Sequence, residues 1–387
     1  MRMDPARLLR CALPPLAALL AVMIFATDRV RAEPLPVEGD FAAAIVMDAN
    51  TGEVLLQKDP HARRPPASMV KMMVELVVLE KISAKELSLT DSVRVSGFAS
   101  KMGGSQVYLK DGEVFSVEDL LRALAIHSAN DAAAALAEHI AGSTEAFVEL
   151  MNARAAELGL KDSVFHSCHG LPPGRGQLSD LTSPYDMALV CKALLTHPES
   201  TQWASQAEAP FRGGKFTLHN PDGLMGRFPG LDGMKTGYTV PAGFCFTGTA
   251  KQKGARLISC VMGAQTNKSR FTETARLLTR GFTMFTSVKL VDSANKPLDK
   301  HVPVRRGKTR DLVVAYAAPL TVMVLKDRAD KVKLEDQLPA KLVAPIKAGE
   351  VVGKAVAKID GKIVAEVPIV ALEAVPEGSF FQRLFNR

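Results

Sequence analysis

Residues 68–82 read SMVKMMVELVVLEKI, Ser68 through Ile82. Drawn as a helix, this stretch is apolar on nearly every side, which predicts a buried helix rather than a surface one. Lysine is almost never buried without a reason, yet Lys71 stands one turn into it. Lys71 is three residues from Ser68 and on the same face. Desolvation and neighbouring cations lower a lysine pKa and make the neutral amine available as a base. Ser68 opens the helix, where free N–H groups and the dipole favour negative charge. The pair therefore has the parts of an activated nucleophile. The same residues also fit an N-capping serine and a lysine that snorkels to solvent. A second S-x-x-K, Ser293-Ala-Asn-Lys296, lies in a polar segment before a proline, lacks the buried helix and is assigned no function.

Upstream, residues 41–58 predict a hairpin: FAAAIVMDA, a turn at Asn50-Thr51-Gly52, then EVLLQK. Downstream, residues 84–200 read as mainly helical, with VEDLLRALAI, DAAAALAEHIAG, TEAFVELMNARAAELGL and SPYDMALVCKALL. The irregular stretch HSCHGLPPGRGQLSD, residues 166–180, interrupts them. Strand character returns in GLDGMKTGYT, GFCFTGTA and ARLISCVMG, and ETARLLTRGFTMF predicts a closing helix. Strands at both ends with helices between them imply one sheet built from both termini, an α+β architecture. From about residue 288 to 375 short Val-, Lys- and Ala-rich runs predict a separate small all-β domain. Asp360-Gly361, between KAVAKI and KIVAEVPIV, is its clearest hairpin signal.

Two further motifs carry chemistry. Ser128-Ala-Asn130 joins two apolar helical segments, a turn held by a packed scaffold, although Ser128, Asn130 and Asp131 are also good N-caps. Lys235-Thr236-Gly237 lies on a predicted strand. Its cation and hydroxyl could hold a carboxylate, and the glycine permits close backbone approach; an exposed strand lysine near a turn fits the same letters.

The bulk properties bound the rest. The chain has 387 residues and a formal charge of +7. Arg2, Arg7 and Arg10, an apolar run from Cys11 to Ala26, and Val30-Arg31-Ala32 predict a signal peptide cleaved after Ala32. Five arginines and two aspartates leave with it, taking the charge from +7 to +4. With no basic stripe interleaved with aromatics, nucleic acid is not an expected partner. Cys168, Cys191, Cys245 and Cys260 remain, too few for a disulfide scaffold at this length. A symmetric turn near Lys251–Gly254 would set Cys245 opposite Cys260, either bridged or as two packed free thiols. His166, Cys168 and His169 fit no standard zinc spacing.

S-x-x-K, S-x-N and K-T-G occur here in order, each in the element the chemistry needs, a trio known from β-lactamases and penicillin-binding proteins. At this point the chain resembles the low-molecular-mass penicillin-binding proteins, D-alanyl-D-alanine carboxypeptidases with a C-terminal β domain. AAIVMDANTGEVLLQKDPHARRPPASMVKMM, IHSANDAAAALAEHIAG, GLDGMKTGYTVPAGFCFTGTA and ARLISCVMGA all read like that family. The resemblance is close over 37 to about 285 and looser over 288–375. It implies a β-lactamase/D,D-peptidase-like antiparallel sheet with helices on both faces and an inserted helical region, residues 33–287, and then the all-β domain. It implies that Ser68 attacks the carbonyl between two D-alanines and Lys71 takes its proton. Ser128 relays a proton to the leaving D-alanine, and Asn130 orients the substrate amide. Lys235 and Thr236 bind the terminal carboxylate, with Gly237 beside them. The N–H groups of Ser68 and Tyr238 form the oxyanion hole, and Arg270 lies near the substrate carboxylate. β-Lactams acylate the same serine; no metal or cofactor is implied.

Ser167-Cys168 and Pro172-Pro173 depart from the family's His-Gly-Leu segment, and no E-x-x-x-N pattern supplies a dedicated deacylating glutamate. The expected activity is removal of the terminal D-alanine from peptidoglycan pentapeptides. The alternatives are a D,D-endopeptidase cutting cross-links and a poorly catalytic penicillin-binding wall protein. The tail, residues 376–387, places Phe380, Phe381, Leu384 and Phe385 on one helical face with Arg383 and Arg387 towards the other. It predicts an amphipathic anchor on an anionic membrane surface, here the outer face of the inner membrane in the periplasm; the rival is a tail folded back on the β domain or frayed.

Overall fold

The computed structural model describes residues 34–379. The expected signal peptide, and residues 380–387 of the expected anchor, lie outside them. The chain opens with β1 (Leu35–Pro36), β2 (Ala43–Asp48) and β3 (Val54–Lys58), then a 3₁₀ turn at Ala67–Val70 that runs into α1 (Lys71–Ser83). A short ribbon, β4 (Ser92–Arg94) with β5 (Val114–Ser116), precedes α2 (Val117–His127), α3 (Asn130–Ala141), α4 (Thr144–Glu157), α5 (Pro184–Leu194) and α6 (Pro198–Ala204). The hairpin β6 (Glu208–Phe211) and β7 (Phe216–His219) leads to three long strands, β8 (Leu231–Thr239), β9 (Gly243–Gln252) and β10 (Ala255–Ala264), and to α7 (Asn267–Met284).

The main sheet runs β1-β3-β2-β10-β9-β8. It is antiparallel except where β1 lies parallel to β3. β2 pairs β10, so the two ends of the first domain meet in the middle of one sheet, as the strand pattern predicts. The hairpin turn is tied by Asp48, whose carboxylate accepts from Asn50 N at 3.2 Å and Thr51 Oγ1 at 2.7 Å. Alternate residues of β2 enter different cores. Ile45 and Met47 join the helices α1 to α6 on one face; Ala44 and Val46 join Leu277 and Leu278 of α7 on the other. Truncating either α7 leucine to alanine would cost roughly 2–5 kcal/mol. Helices therefore cover both faces, and β8 forms the free edge.

Three expectations need correction. Residues 84–116 are not helical: they form the β4–β5 ribbon, a short 3₁₀ turn and loops broken by Gly97, Gly103, Gly104 and Gly112. α7 begins at Asn267 rather than at residue 273, because Thr266 and Ser269 form a reciprocal capping box ahead of the apolar pattern. Cys245 and Cys260 do not face one another. The β9–β10 turn is Lys253-Gly254, both with positive φ (48° and 81°), and this register sets Cys260 opposite Thr247. Both thiols are buried and free.

Beyond α7, β11 (Phe285–Val291) pairs with a later strand, β14 (Leu320–Leu325). β12 (Pro297–Arg305), β13 (Asp311–Tyr316), β15 (Lys333–Gln337), β16 (Leu342–Val343), β17 (Val351–Ile359) and β18 (Lys362–Ala371) form a second sheet, ordered β15-β17-β18-β13-β12-β16. Asp360-Gly361 makes the β17–β18 turn with φ of 49° and 79°, the backbone an Asp-Gly hairpin requires. Val302, Val314, Ala355 and Ile369 centre a core of its own. Phe285 of β11 and Met323 of β14 instead pack with Leu277 and Leu278, so this two-stranded ribbon is seated against α7. The second S-x-x-K, Ser293–Lys296, lies on an exposed turn between β11 and β12. Among the described residues no helix is long and apolar enough to cross a membrane.

Candidate active site

The segment before α1 is a 3₁₀ turn, so Ser68 stands three residues ahead of the α-helix, whose first residue is Lys71. Ala67 carries a positive φ of 50°, strained backbone immediately before the serine. Ser68 is partly exposed, whereas Lys71 is fully buried, which excludes a snorkelling lysine. Lys71 Nζ donates to Ser68 Oγ at 3.1 Å and to the His169 carbonyl at 2.9 Å. Burial first, and the charge of Lys235 second, hold its pKa well below the ordinary lysine range. An amine that sheds its proton readily, one hydrogen bond from a serine hydroxyl, can act as a general base.

The irregular loop at 166–180 builds the wall behind this pair. Asp180 is buried and ties the loop: it accepts from His166 N (2.6 Å), Ser167 N (2.9 Å) and Ser167 Oγ (2.7 Å). Ser167 Oγ in turn accepts from Gly170 N at 2.9 Å. Gly170, at φ 76°, lies against the Ala67–Ser68 peptide. His169 Nδ1 accepts from Leu171 N at 3.1 Å, and burial lowers its pKa to about 4, so the ring is neutral. The buried Cys168 thiol is pushed up to about 12.

Ser128 is the left-handed C-cap of α2 (φ 63°, ψ 32°), and Ala129 occupies the N-cap of α3. Neither Ser128 nor Asn130 caps a helix with its side chain, which removes the capping account of this motif. Ser128 is held in a sparsely populated conformation between two rigid helices, a placement typical of functional residues. Asn130 Nδ2 donates to Gly103 O at 2.6 Å, while its buried Oδ1 has no hydrogen-bond partner among the described residues. Asp131, read from the sequence only as a capping residue, accepts from Val107 N (3.1 Å) and Leu109 N (3.0 Å). It pins the 103–110 loop alongside Asn130, and its charge also reaches Lys71.

On the free edge, Lys235 and Thr236 are buried and Tyr238 is half exposed, stacked on Phe244 with ring centroids 4.1 Å apart. Among the described residues Lys235 Nζ donates only to the neighbouring Thr236 carbonyl, at 3.2 Å. Burial and then Arg270 lower its pKa to about 7, against Glu75 and Asp222, which raise it. Gly237 is there for an internal reason: a Cβ would meet Pro66 O at 2.6 Å and Ala67 Cβ at 3.3 Å. The edge strand thus packs directly on the turn that carries Ser68. Arg270 lies beneath the strand, donating from Nη1 to Gly237 O (3.0 Å) and Cys245 O (3.3 Å).

Ser68, Lys71, Lys235 and Gly237 are thus brought to one place, with Arg270 supporting the strand. Asn130 borders the same cleft through Gly104, which separates it from Leu171. Asp131, Asp180 and Gly170 are the residues that sequence reasoning missed: each acts by fixing a loop that only the fold brings near.

Fold and site define a serine hydrolase in which a buried lysine lies one hydrogen bond from a partly exposed serine beside the edge strand. Known proteins agree. The sequence pattern of the D-alanyl-D-alanine carboxypeptidase family matches residues 30–266, and that of the penicillin-binding protein 5 C-terminal domain matches 285–377. D-alanyl-D-alanine carboxypeptidase DacF of Bacillus subtilis is 36% identical over 342 residues, 87% of this chain and 86% of that one. Penicillin-binding protein 5 from Haemophilus influenzae superposes with a TM-score of 0.78 at 32% identity, covering 88% of this chain and 99% of its own. Penicillin-binding protein D2 from Listeria monocytogenes, in its ampicillin-bound form, superposes at 0.58 and 32% identity, covering 64% and 98%. The chain belongs to the D-alanyl-D-alanine carboxypeptidase family of serine peptidases.

Proposed function

We propose that this carboxypeptidase releases the terminal D-alanine of peptidoglycan stem peptides through an acyl-enzyme on Ser68. Lys71 takes the Ser68 proton as Oγ attacks the carbonyl between the two D-alanines. The tetrahedral oxyanion is met by the N–H groups of Ser68 and Tyr238. The C–N bond breaks, Ser128 relays a proton to the leaving amine, and water then hydrolyses the ester. Lys235 and Thr236 hold the terminal carboxylate by charge-assisted hydrogen bonds. The unpartnered Asn130 Oδ1 is poised to accept the N–H of a substrate amide. Arg270, which sequence resemblance sets beside the substrate carboxylate, acts here by holding the Gly237 carbonyl and so the edge strand. A β-lactam presents its ring carbonyl to the same serine, a reading supported by the ampicillin complex of the Listeria relative.

One observation carries this reading: a wholly buried lysine, its pKa depressed, within 3.1 Å of a partly exposed serine hydroxyl. We also read the chain as exported to the periplasm by its N-terminal leader and held at the membrane by its Phe-rich tail, on the sequence patterns alone. Steady-state D-alanine release from a pentapeptide tests the activity. Turnover there, with cross-linked dimers left uncut, supports the carboxypeptidase; cleavage of the dimers alone would favour an endopeptidase. Stalling after one equivalent would favour a poorly catalytic penicillin binder.

A further inference from the structure

We propose that Arg212, at the turn between β6 and β7, is a positioning residue for the reaction: it clamps the 103–110 loop and, through that loop, the side-chain amide of Asn130; this rests on the reading of Asn130 given above. Residues 103–110 contain no helix or strand. Yet two carbonyls of this loop fix Asn130. Ser105 O accepts from Asn130 N at 2.7 Å, and Gly103 O accepts from Asn130 Nδ2 at 2.6 Å. The second bond decides which way the amide faces. With Nδ2 turned to the loop, Oδ1 is left for a substrate N–H, and it has no partner among the described residues.

Such a loop has to be held from outside itself. Tyr108 is exposed and stands at φ 57°, a conformation that bulky residues avoid. From the inner side, Asp131 accepts from the N–H groups of its two neighbours, Val107 and Leu109. From the outer side, Arg212 Nη2 donates to the Tyr108 carbonyl at 2.8 Å and to the Val107 carbonyl at 3.4 Å. Arg212 Nη1 donates to Glu113, whose Oε2 accepts from Lys110 N at 2.7 Å, so the same guanidinium reaches the far end of the loop. The guanidinium itself lies over the stacked rings of Phe115 and Phe211, 4.9 and 5.6 Å from their centroids. A partly exposed ion pair alone contributes little. Here the partners are successive peptide groups of one strained segment together with a carboxylate. A planar fork of donors spans them, and a lysine ammonium is a single point charge. The hairpin keeps a separate hold on the serine side of the motif. His219 N donates to His127 Nδ1 at 3.1 Å, and Phe216 meets the His127 ring edge-on at 5.5 Å; His127 immediately precedes Ser128. Replacing Arg212 therefore frees the loop and leaves this anchor in place.

The test compares acylation of wild type, Arg212→Gln, Arg212→Lys and Asn130→Ala by two penams: benzylpenicillin, which carries a side-chain amide, and penicillanic acid, which has none. Arg212→Gln should slow the first at least about tenfold and the second less than about threefold, the loss of roughly one hydrogen bond to the amide. Asn130→Ala should show the same preference in larger measure. Arg212→Lys keeps the charge but not the fork and should fall between Arg212→Gln and wild type; if the Gln variant folds poorly, the Lys variant still reports the preference. Equal slowing with both penams, or no slowing with either, would overturn the proposal, because a general loosening of the fold does not recognise an amide. An Asn130→Ala enzyme that treats the two penams alike would instead remove the amide role of Asn130 itself, and this proposal with it.

Discussion

The α-carbon of Gly170 faces the Ala67 carbonyl so closely that no side chain fits between them. A Cβ there would also come within 3.1 Å of Ser68 N, and φ at Gly170 is 76°. The loop fixed by Asp180 is thereby held against the peptide that carries the nucleophile. Gly170→Ala should displace that peptide and slow acylation by penicillin about a hundredfold, since small misplacements of reacting groups cost that much. Gly176→Ala, at a similar φ of 84° but with open space around it, should leave acylation near normal. Stopped-flow acylation of the two variants makes the comparison; equal rates would show that the contact does not position Ser68.

Replacing Lys71 by arginine should be as damaging as replacing it by alanine. A guanidinium keeps its proton in a protein, so it cannot serve as a base however well it fills the site. Both variants should lose roughly 10²–10⁴ in acylation rate. An arginine enzyme that acylates near the wild-type rate would reduce Lys71 to an electrostatic role.

The pH profile follows from the two lysines. Lys71 must be neutral to accept a proton, so activity falls as the pH drops through its depressed pKa. Lys235 must be charged, so carboxylate binding in the free enzyme is lost as the pH rises through about 7. The profile of kcat/KM should be a bell whose alkaline limb belongs to Lys235. Lys235→Arg should move that limb up by more than about one pH unit, because arginine stays protonated. An unmoved limb in that variant would assign it to another group.

Much of this was legible before any coordinates. The apolar envelope of residues 68–82 points to a buried Lys71, and strand-like runs at both ends of the first domain point to a shared sheet. The Asp360-Gly361 hairpin followed from turn chemistry alone. What stayed hidden depends on register or on distant contact. A turn centred one residue earlier would set Cys245 opposite Cys260, and the positive φ pair at Lys253-Gly254 fixes the register that pairs Cys260 with Thr247. The capping box at Thr266 is masked by the polar first turn of α7. Gly237 reads from sequence as a site of close backbone approach, and that it approaches Pro66, far away in sequence, is visible only in the fold. Asp131 and Asp180 look like ordinary turn acids until the loops they bind are in place.

The tail makes a separate prediction. The mature chain should sediment with anionic liposomes, and a chain ending at Pro376 should not, since the four large apolar residues and the arginines Arg383 and Arg387 go with the deletion. Neutral liposomes should retain less of the full chain. Equal recovery of both chains in the supernatant would contradict an anchoring tail.

The central claim is that Ser68 is the acylated nucleophile. Intact mass spectrometry after exposure to penicillin, followed by peptide mapping, tests it most directly. The account predicts one equivalent of adduct on the peptide containing Ser68, and none on a folded Ser68→Ala variant. An adduct that persists in that variant, or that maps to Ser128 or to the exposed Ser293, would contradict it.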